Sequence, residues 1–184
     1  EATQKTNSAV GSAGSGKTAQ VIERKADRVR MATLLAMKRT AEGKNGSVLL
    51  YMDTMNGSSV EGRMFLDPTK ANESDITILT RIYTRPAMVQ KIAAHFSKYF
   101  TNRTAVVHME HVGDLGMEVK VSAKVDFSQF TNTDNLVLYV YNPTTNTYKK
   151  LANQWHVIDA NGYFWFKTSM GGDIIISDGA LVRK

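Results

Sequence analysis

The chain has 184 residues, 42% hydrophobic and 22% charged, a balance that excludes wholesale disorder and suits one domain with a sizeable core. No apolar run approaches the ~18 residues of a helical membrane span, and the lack of cysteine excludes disulfide scaffolds, thiolate metal sites and cysteine nucleophiles. The net charge of +6 is concentrated in residues 1–44, which hold 9 Lys/Arg against 4 Asp/Glu, so the rest of the body is nearly neutral.

Residues 1–17 are almost all Ser, Thr, Gly, Ala, Asn, Gln and Lys, which bury too little apolar surface to offset their ordering entropy. They are expected to be a linker or tail, and the start at Glu1 rather than methionine fits a processed or trimmed end. Thr18 to Glu42 is expected to be a basic helix. Ile22, Ala26, Val29, Thr33 and Ala36 recur on one face, Leu34 and Leu35 widen the stripe, and Gly43 with Asn45-Gly46 stops it. From Ser47 the period changes to two, predicting strands over 47–54, 60–66 and 76–84. Met88, Val89, Ile92, Phe96 and Tyr99 return to helical spacing over 85–100, with Pro86 in the tolerant first turn. Strands follow over 105–110, 118–127, 136–141, 162–168 and 173–177, with a short one at 148–151. Asn142-Pro143 and Asp159–Gly162 supply hairpin turns. The expected fold is mainly β: an antiparallel β-sandwich, Ig-like or related, spanning 18–184 as one domain with a leading basic helix and one inserted helix.

The sharpest motif is Gly11-Ser12-Ala13-Gly14-Ser15-Gly16-Lys17-Thr18, which satisfies the phosphate-loop pattern and precedes the expected helix. Val48–Asp53 adds an apolar run ending in a carboxylate, so a nucleotide site would use Gly11, Gly16, Lys17, Thr18 and Asp53. That chemistry also needs a buried strand ahead of the loop, and residues 1–10 offer only Ala2, Ala9 and Val10 as apolar side chains. A Gly/Ser-rich linker is therefore preferred, with the phosphate loop as the alternative.

His108-Met109-Glu110-His111 clusters potential metal ligands, but on a strand His108 and Glu110 share a face while His111 points away. No metal or cofactor is expected. No G-x-S-x-G turn is present, no serine shows a local reason for activation, and the chain is not expected to be an enzyme. Arg24, Lys25, Arg28, Arg30, Lys38 and Arg39 would meet an anionic surface, but no aromatic residues interleave with them, so nucleic acid is not the expected partner.

Two strands carry apolar residues on both faces. Tyr139 and Tyr141 lie opposite Leu138 and Val140, and Tyr163 and Trp165 lie opposite Phe164 and Phe166. Either a helix covers the second face, or Tyr139, Tyr141, Tyr163 and Trp165 form an exposed platform on which sugar rings stack.

The segments LGMEVKVSAKVDF (115–127), NLVLYVYNPTTNTYKKL (135–151) and VIDANGYFWFKTSMGGDIIISD (157–178) resemble the C-terminal halves of β-sandwich modules in exported surface proteins of Gram-positive, clostridia-like bacteria. Residues 33–56, 60–68 and 76–84 are similar to the helix and strands that precede them, so the resemblance covers about residues 30–184. It implies a secreted, cell-surface, non-catalytic module with an adhesive, spacer or carbohydrate-associated role, whose partner is a polysaccharide or another surface protein. It transfers no active-site residue.

Overall fold

A computed structural model describes residues 2–6, 20–41 and 48–184, with the side chains of 2–6 and 41 left aside. The described chain is mainly β. Its strands are β1 (Ala2–Thr6), β2 (Gln20–Arg24), β3 (Arg28–Arg30), β4 (Val48–Asn56), β5 (Ser59–Leu66), β6 (Thr77–Leu79), β7 (Ile82–Tyr83), β8 (Thr104–Lys124), β9 (Val137–Asn142), β10 (Thr147–Lys150), β11 (His156–Ile158) and β12 (Tyr163–Ser177). Two α-helices, α1 (Met31–Ala41) and α2 (Pro86–Tyr99), complete it. Ten strands join in one mixed sheet, and β3 pairs with β6 in a small second sheet.

Two long strands organise the large sheet. β8 and β12 run antiparallel along most of their length, with register shifts between Thr168 and Met170 and between Gly171 and Asp173. Each takes a different neighbour on either side of that irregularity. Residues 120–123 of β8 pair with β5, and 108–109 pair with β7. Residues 164–166 of β12 pair with β11, and 173–177 pair with β9. Two wings thus share one pair of strands: β1-β2-β4-β5 with β11 on one side, β7 with β9-β10 on the other. Glycine makes the irregularity possible. Gly172 has φ +143°, and a Cβ there would stand 2.6 Å from the Tyr141 carbonyl oxygen.

Alternation along the strands builds the core. Leu50 and Met52 of β4, Met64 and Leu66 of β5, Val107, Met109, Val119 and Val121 of β8, Phe164, Phe166, Ile174 and Ile176 of β12 all face one buried cluster. The cluster draws on both wings and on Met31 and Leu34 of α1, and it is rich in methionine. On the outer face, Val106, Tyr139, Tyr141 and Ile175 lie against Phe96 and Phe100, at and just beyond the C-terminal end of α2.

The leading segment differs from the helix expected over 18–42. Residues 20–24 are strand, paired in parallel with β4, residues 28–30 pair with β6, and the helix occupies only 31–41. Val21 and Ile22 are neighbours that bury on opposite faces, which a strand does and a helix does not. Val29 is buried between exposed Arg28 and Arg30 for the same reason. Available sheet partners override a helical spacing that three residues shared by coincidence. The parallel β2–β4 pair needs a crossover, and β3 with α1 supplies it. The segment expected as a tail opens with Ala2–Thr6 on the sheet edge, antiparallel to β2. The strands expected at 105–110 and 118–127 are one continuous strand, as are 162–168 and 173–177. The helix expected at 85–100 stands at Pro86–Tyr99. The expected mainly-β content is present, as one ten-stranded mixed sheet with a two-stranded one among the described residues.

Glu61 anchors α2. Its side chain is 3% exposed, and it accepts bonds from the Thr84 amide (2.7 Å), the Arg85 amide (3.2 Å) and Arg85 Nε (2.7 Å). A carboxylate at this end also complements the helix dipole. Glu61→Ala leaves these donors and the Arg85 charge unmatched, and is expected to cost about 3 kcal/mol of unfolding free energy in urea. The adjacent Gly62 lies under β7, where a Cβ would come 2.5 Å from Ile82 Cβ. Gly62→Ala should lower stability by about 1–3 kcal/mol in the same measurement.

Candidate functional site

The cross-strand register sets two rows of side chains on the outer face of the first wing. Tyr51, Phe65, Lys120 and Lys167 are successive partners across β4, β5, β8 and β12. Two residues along, Asp53, Arg63, Ser122, Trp165 and Val157 form the second row and carry it onto β11. Directly opposed side chains on one face lie about 5 Å apart, so each row is a line of contacts.

Aromatic rings and cations meet within and across these rows. Phe65 stacks on Trp165 with ring centroids 5.5 Å apart and planes 21° apart, and Tyr51 sits 5.9 Å from Phe65. The Arg63 guanidinium lies 4.4 Å above the Tyr51 ring and is held by both oxygens of Asp53, one at 3.0 Å. Trp155, 37% exposed, overhangs the β12 edge, its amide fixed by Asn153 Oδ1 at 3.0 Å. Lys120 Nζ is 5.2 Å from the Trp155 ring and 5.3 Å from that of Trp165, and Lys167 Nζ is 4.8 Å from Trp155. These are cation–π distances. Burial, and after it the Lys167 charge, lowers the Lys120 ammonium below the ordinary lysine range.

The turn before β12 orients Trp165. Asp159 Oδ2 accepts its indole N–H at 2.8 Å, while Oδ1 accepts the amides of Asn161 (2.9 Å) and Tyr163 (3.0 Å). Burial pushes the Asp159 carboxyl up, but the bonds from Trp165, Tyr163, Asn161 and Gly162 outweigh it and hold it below its usual value. Exposed Val157 of β11, directly opposite Trp165, extends the apolar rim.

A cavity of about 470 Å³ opens beside Lys167, lined by Lys149, Lys150, Leu151, Asn153 and Thr168 among others. A second, of about 220 Å³, shares Val140, Lys149 and Met170 with it and reaches Asn142 and Thr147. Side by side, they make a groove along β10 that begins at Asn153 and Lys167.

The four rings expected as a platform are divided. Tyr139 and Tyr141 are 5% and 6% exposed beneath α2, with the Tyr139 hydroxyl accepting the Leu181 amide and the Tyr141 hydroxyl donating to Asn146. The helix-covered explanation accounts for that pair. Tyr163 and Trp165 lie outside that cover, with the Tyr163 hydroxyl donating to the Val60 carbonyl at 2.8 Å. Trp155, Lys120 and Lys167 join this corner beyond the residues expected. Period-two alternation places Lys167 beside Trp165 and Lys120 on the face of Ser122, so the signal for both lysines was present. Trp155 belongs to a loop and carries no such signal.

Of the phosphate-loop alternative, Gly11, Gly16, Lys17 and Thr18 lie outside the described residues. The described chain resumes at Gln20 as strand rather than the helix such a loop feeds, and Asp53 is committed to Arg63. His108 and His111 face opposite ways as expected. His111 Nδ1 accepts the Leu79 amide at 3.1 Å and its Nε2 meets the Asp114 carbonyl at 2.8 Å. His108 Nδ1 pairs with buried Asp173 at 2.7 Å and stacks near Tyr83. Among the described residues no three His, Asp or Glu side chains gather as a metal site. Compared with protein-family models, curated sequences and solved structures, the chain matches none.

The bond to Asp173 raises the His108 pKa; burial opposes it, and the Asp173 and Glu110 charges add to the rise. A raised folded-state value stabilises the fold fully below the unfolded value near ~6.5, and that contribution fades as pH rises through the folded value. The stability difference between the native chain and His108→Gln should therefore be larger at pH 5.5 than at pH 8.5 in urea unfolding.

Proposed function

We propose that the chain is a non-catalytic binding module of an exported surface protein, holding an extended carbohydrate chain against the Trp155–Trp165 corner. One observation carries this reading: two indoles, Trp165 held at its N–H by Asp159 and Trp155 on a backbone held by Asn153, lie under ammonium groups, and Lys167 and Asn153 beside them also line a groove. Flat apolar rings with polar groups at their edges suit sugar rings, which present apolar faces and hydroxyl edges.

The conspicuous polar groups elsewhere are engaged in building the fold. Glu61 holds α2, Asp53 holds Arg63, His111 joins the β6 segment to the β8 bend, and Asp173 holds His108. This economy supports a binding rather than a catalytic role. The two wings, folded together on a common core, support the finer reading of a sandwich-like module. Secretion and surface attachment follow from the resemblance of residues 30–184 to exported modules.

Tryptophan fluorescence of the intact chain titrated with soluble polysaccharides tests the assignment. Trp155→Ala and Trp165→Ala are each expected to weaken binding by about 2 kcal/mol, roughly 30-fold, with the far-ultraviolet circular dichroism unchanged. Undiminished binding in both variants, or steady turnover of the polymer, would sink the reading.

A further inference from the structure

We propose that the groove at the β12 bend is an anion subsite, and that the chain held by the module is an acidic polysaccharide whose carboxylates sit among Lys149, Lys150 and Lys167. This rests on the binding-module reading and narrows it to a ligand class.

The topology creates the opening. On one side of β12, residues 164–166 pair with β11 and 173–177 with β9, which among the described residues leaves 167–172 without a strand neighbour there. The 470 Å³ cavity occupies that gap. Three of its lining residues are lysines, and among the described residues no carboxylate forms a salt bridge with any of them. Its one acidic lining residue, Glu118, is already engaged: Oε2 by Asn153 Nδ2 at 3.2 Å and Oε1 by Lys70 at 3.9 Å. Like charges gathered around a hollow raise the free energy of the empty site, and an anion entering it relieves that repulsion. Burial, and after it the charge of Lys167 alone, lowers the Lys120 ammonium next door.

The cavity is continuous with the stacking corner. Lys167 lines it and also sits over Trp155, and Asn153 lines it and fixes the Trp155 amide. A polymer stacked on Trp155 therefore delivers its neighbouring unit to the lysines. A sugar acid fits better than a nucleic-acid strand. Asp159 stands at the Trp165 indole and Glu118 at the cavity, and a chain with a phosphate at every unit would meet both.

Two polymers with one backbone separate the contributions: hydroxyethyl cellulose and carboxymethyl cellulose, titrated at low and high salt, with oligothymidylate as a third probe. The native chain is expected to prefer the carboxylated polymer about tenfold at low salt, with the preference shrinking as salt screens it. The variant Lys149→Gln/Lys150→Gln should bring the two celluloses to equal affinity while circular dichroism stays native. Equal affinity of the native chain for both celluloses overturns the anion subsite and leaves the binding module standing. A preference that survives in the double variant overturns the subsite as placed. Tighter binding of oligothymidylate than of carboxymethyl cellulose replaces the acidic sugar by a nucleic acid. Absence of binding to every probe overturns both readings.

Discussion

The ladder between β8 and β12 is the constraint on which the rest depends. Two strands of 21 and 15 residues stay paired through an irregularity that glycine alone accommodates at its tightest point. Because they remain together there, each half of each strand keeps one free side, and the remaining strands attach to those sides. One wing acquires β4, β5 and β11, the other β7, β9 and β10. Buried residues of both wings meet in a single cluster, so one core serves both without a second long sheet. The same irregularity leaves a stretch of β12 unaccompanied on one side, and a groove lies there. Architecture and candidate site thus have a common origin.

Much of this was legible in the chain. Hairpin strands such as 48–56 with 59–66, joined by the Asn56-Gly57-Ser58-Ser59 turn, follow from alternation and turn chemistry. The inserted helix followed from five apolar residues at helical spacing. What escaped has physical reasons. Residues 20–30 have a spacing compatible with helix, and only the partner strand, fixed by β4 in the parallel pair, selects extension. The long strands look like separate pieces in the sequence because Gly113, Gly116, Gly171 and Gly172 resemble turns locally, whereas cross-strand pairing carries the strand through them.

The site was legible in part for a related reason. Alternation assigned Tyr163 and Trp165 to one face, but no local signal said which tyrosines α2 would cover. Phe96 and Phe100 settle that by taking Tyr139 and Tyr141 into their cluster. Cation placement escaped because it is a property of register. Lys120 and Lys167 are 47 positions apart in the chain and directly opposed in the sheet. Only the pairing of β8 with β12 makes them one charged patch over two indoles.

The methionine-rich core has a consequence for chemical durability. With no cysteine, thioethers are the chain's only oxidisable sulfur. Met31, Met52, Met64 and Met109 are wholly buried in the main cluster, where conversion to a polar sulfoxide would disrupt the packing, while Met55 and Met88 stand 44% and 40% exposed. An oxidant diffusing in solvent meets the two outer sulfurs first, and neither belongs to the core. Peroxide exposure would therefore modify the surface of the native protein long before it reached the thioethers that hold the wings together, so the packing of the core is itself the antioxidant shield.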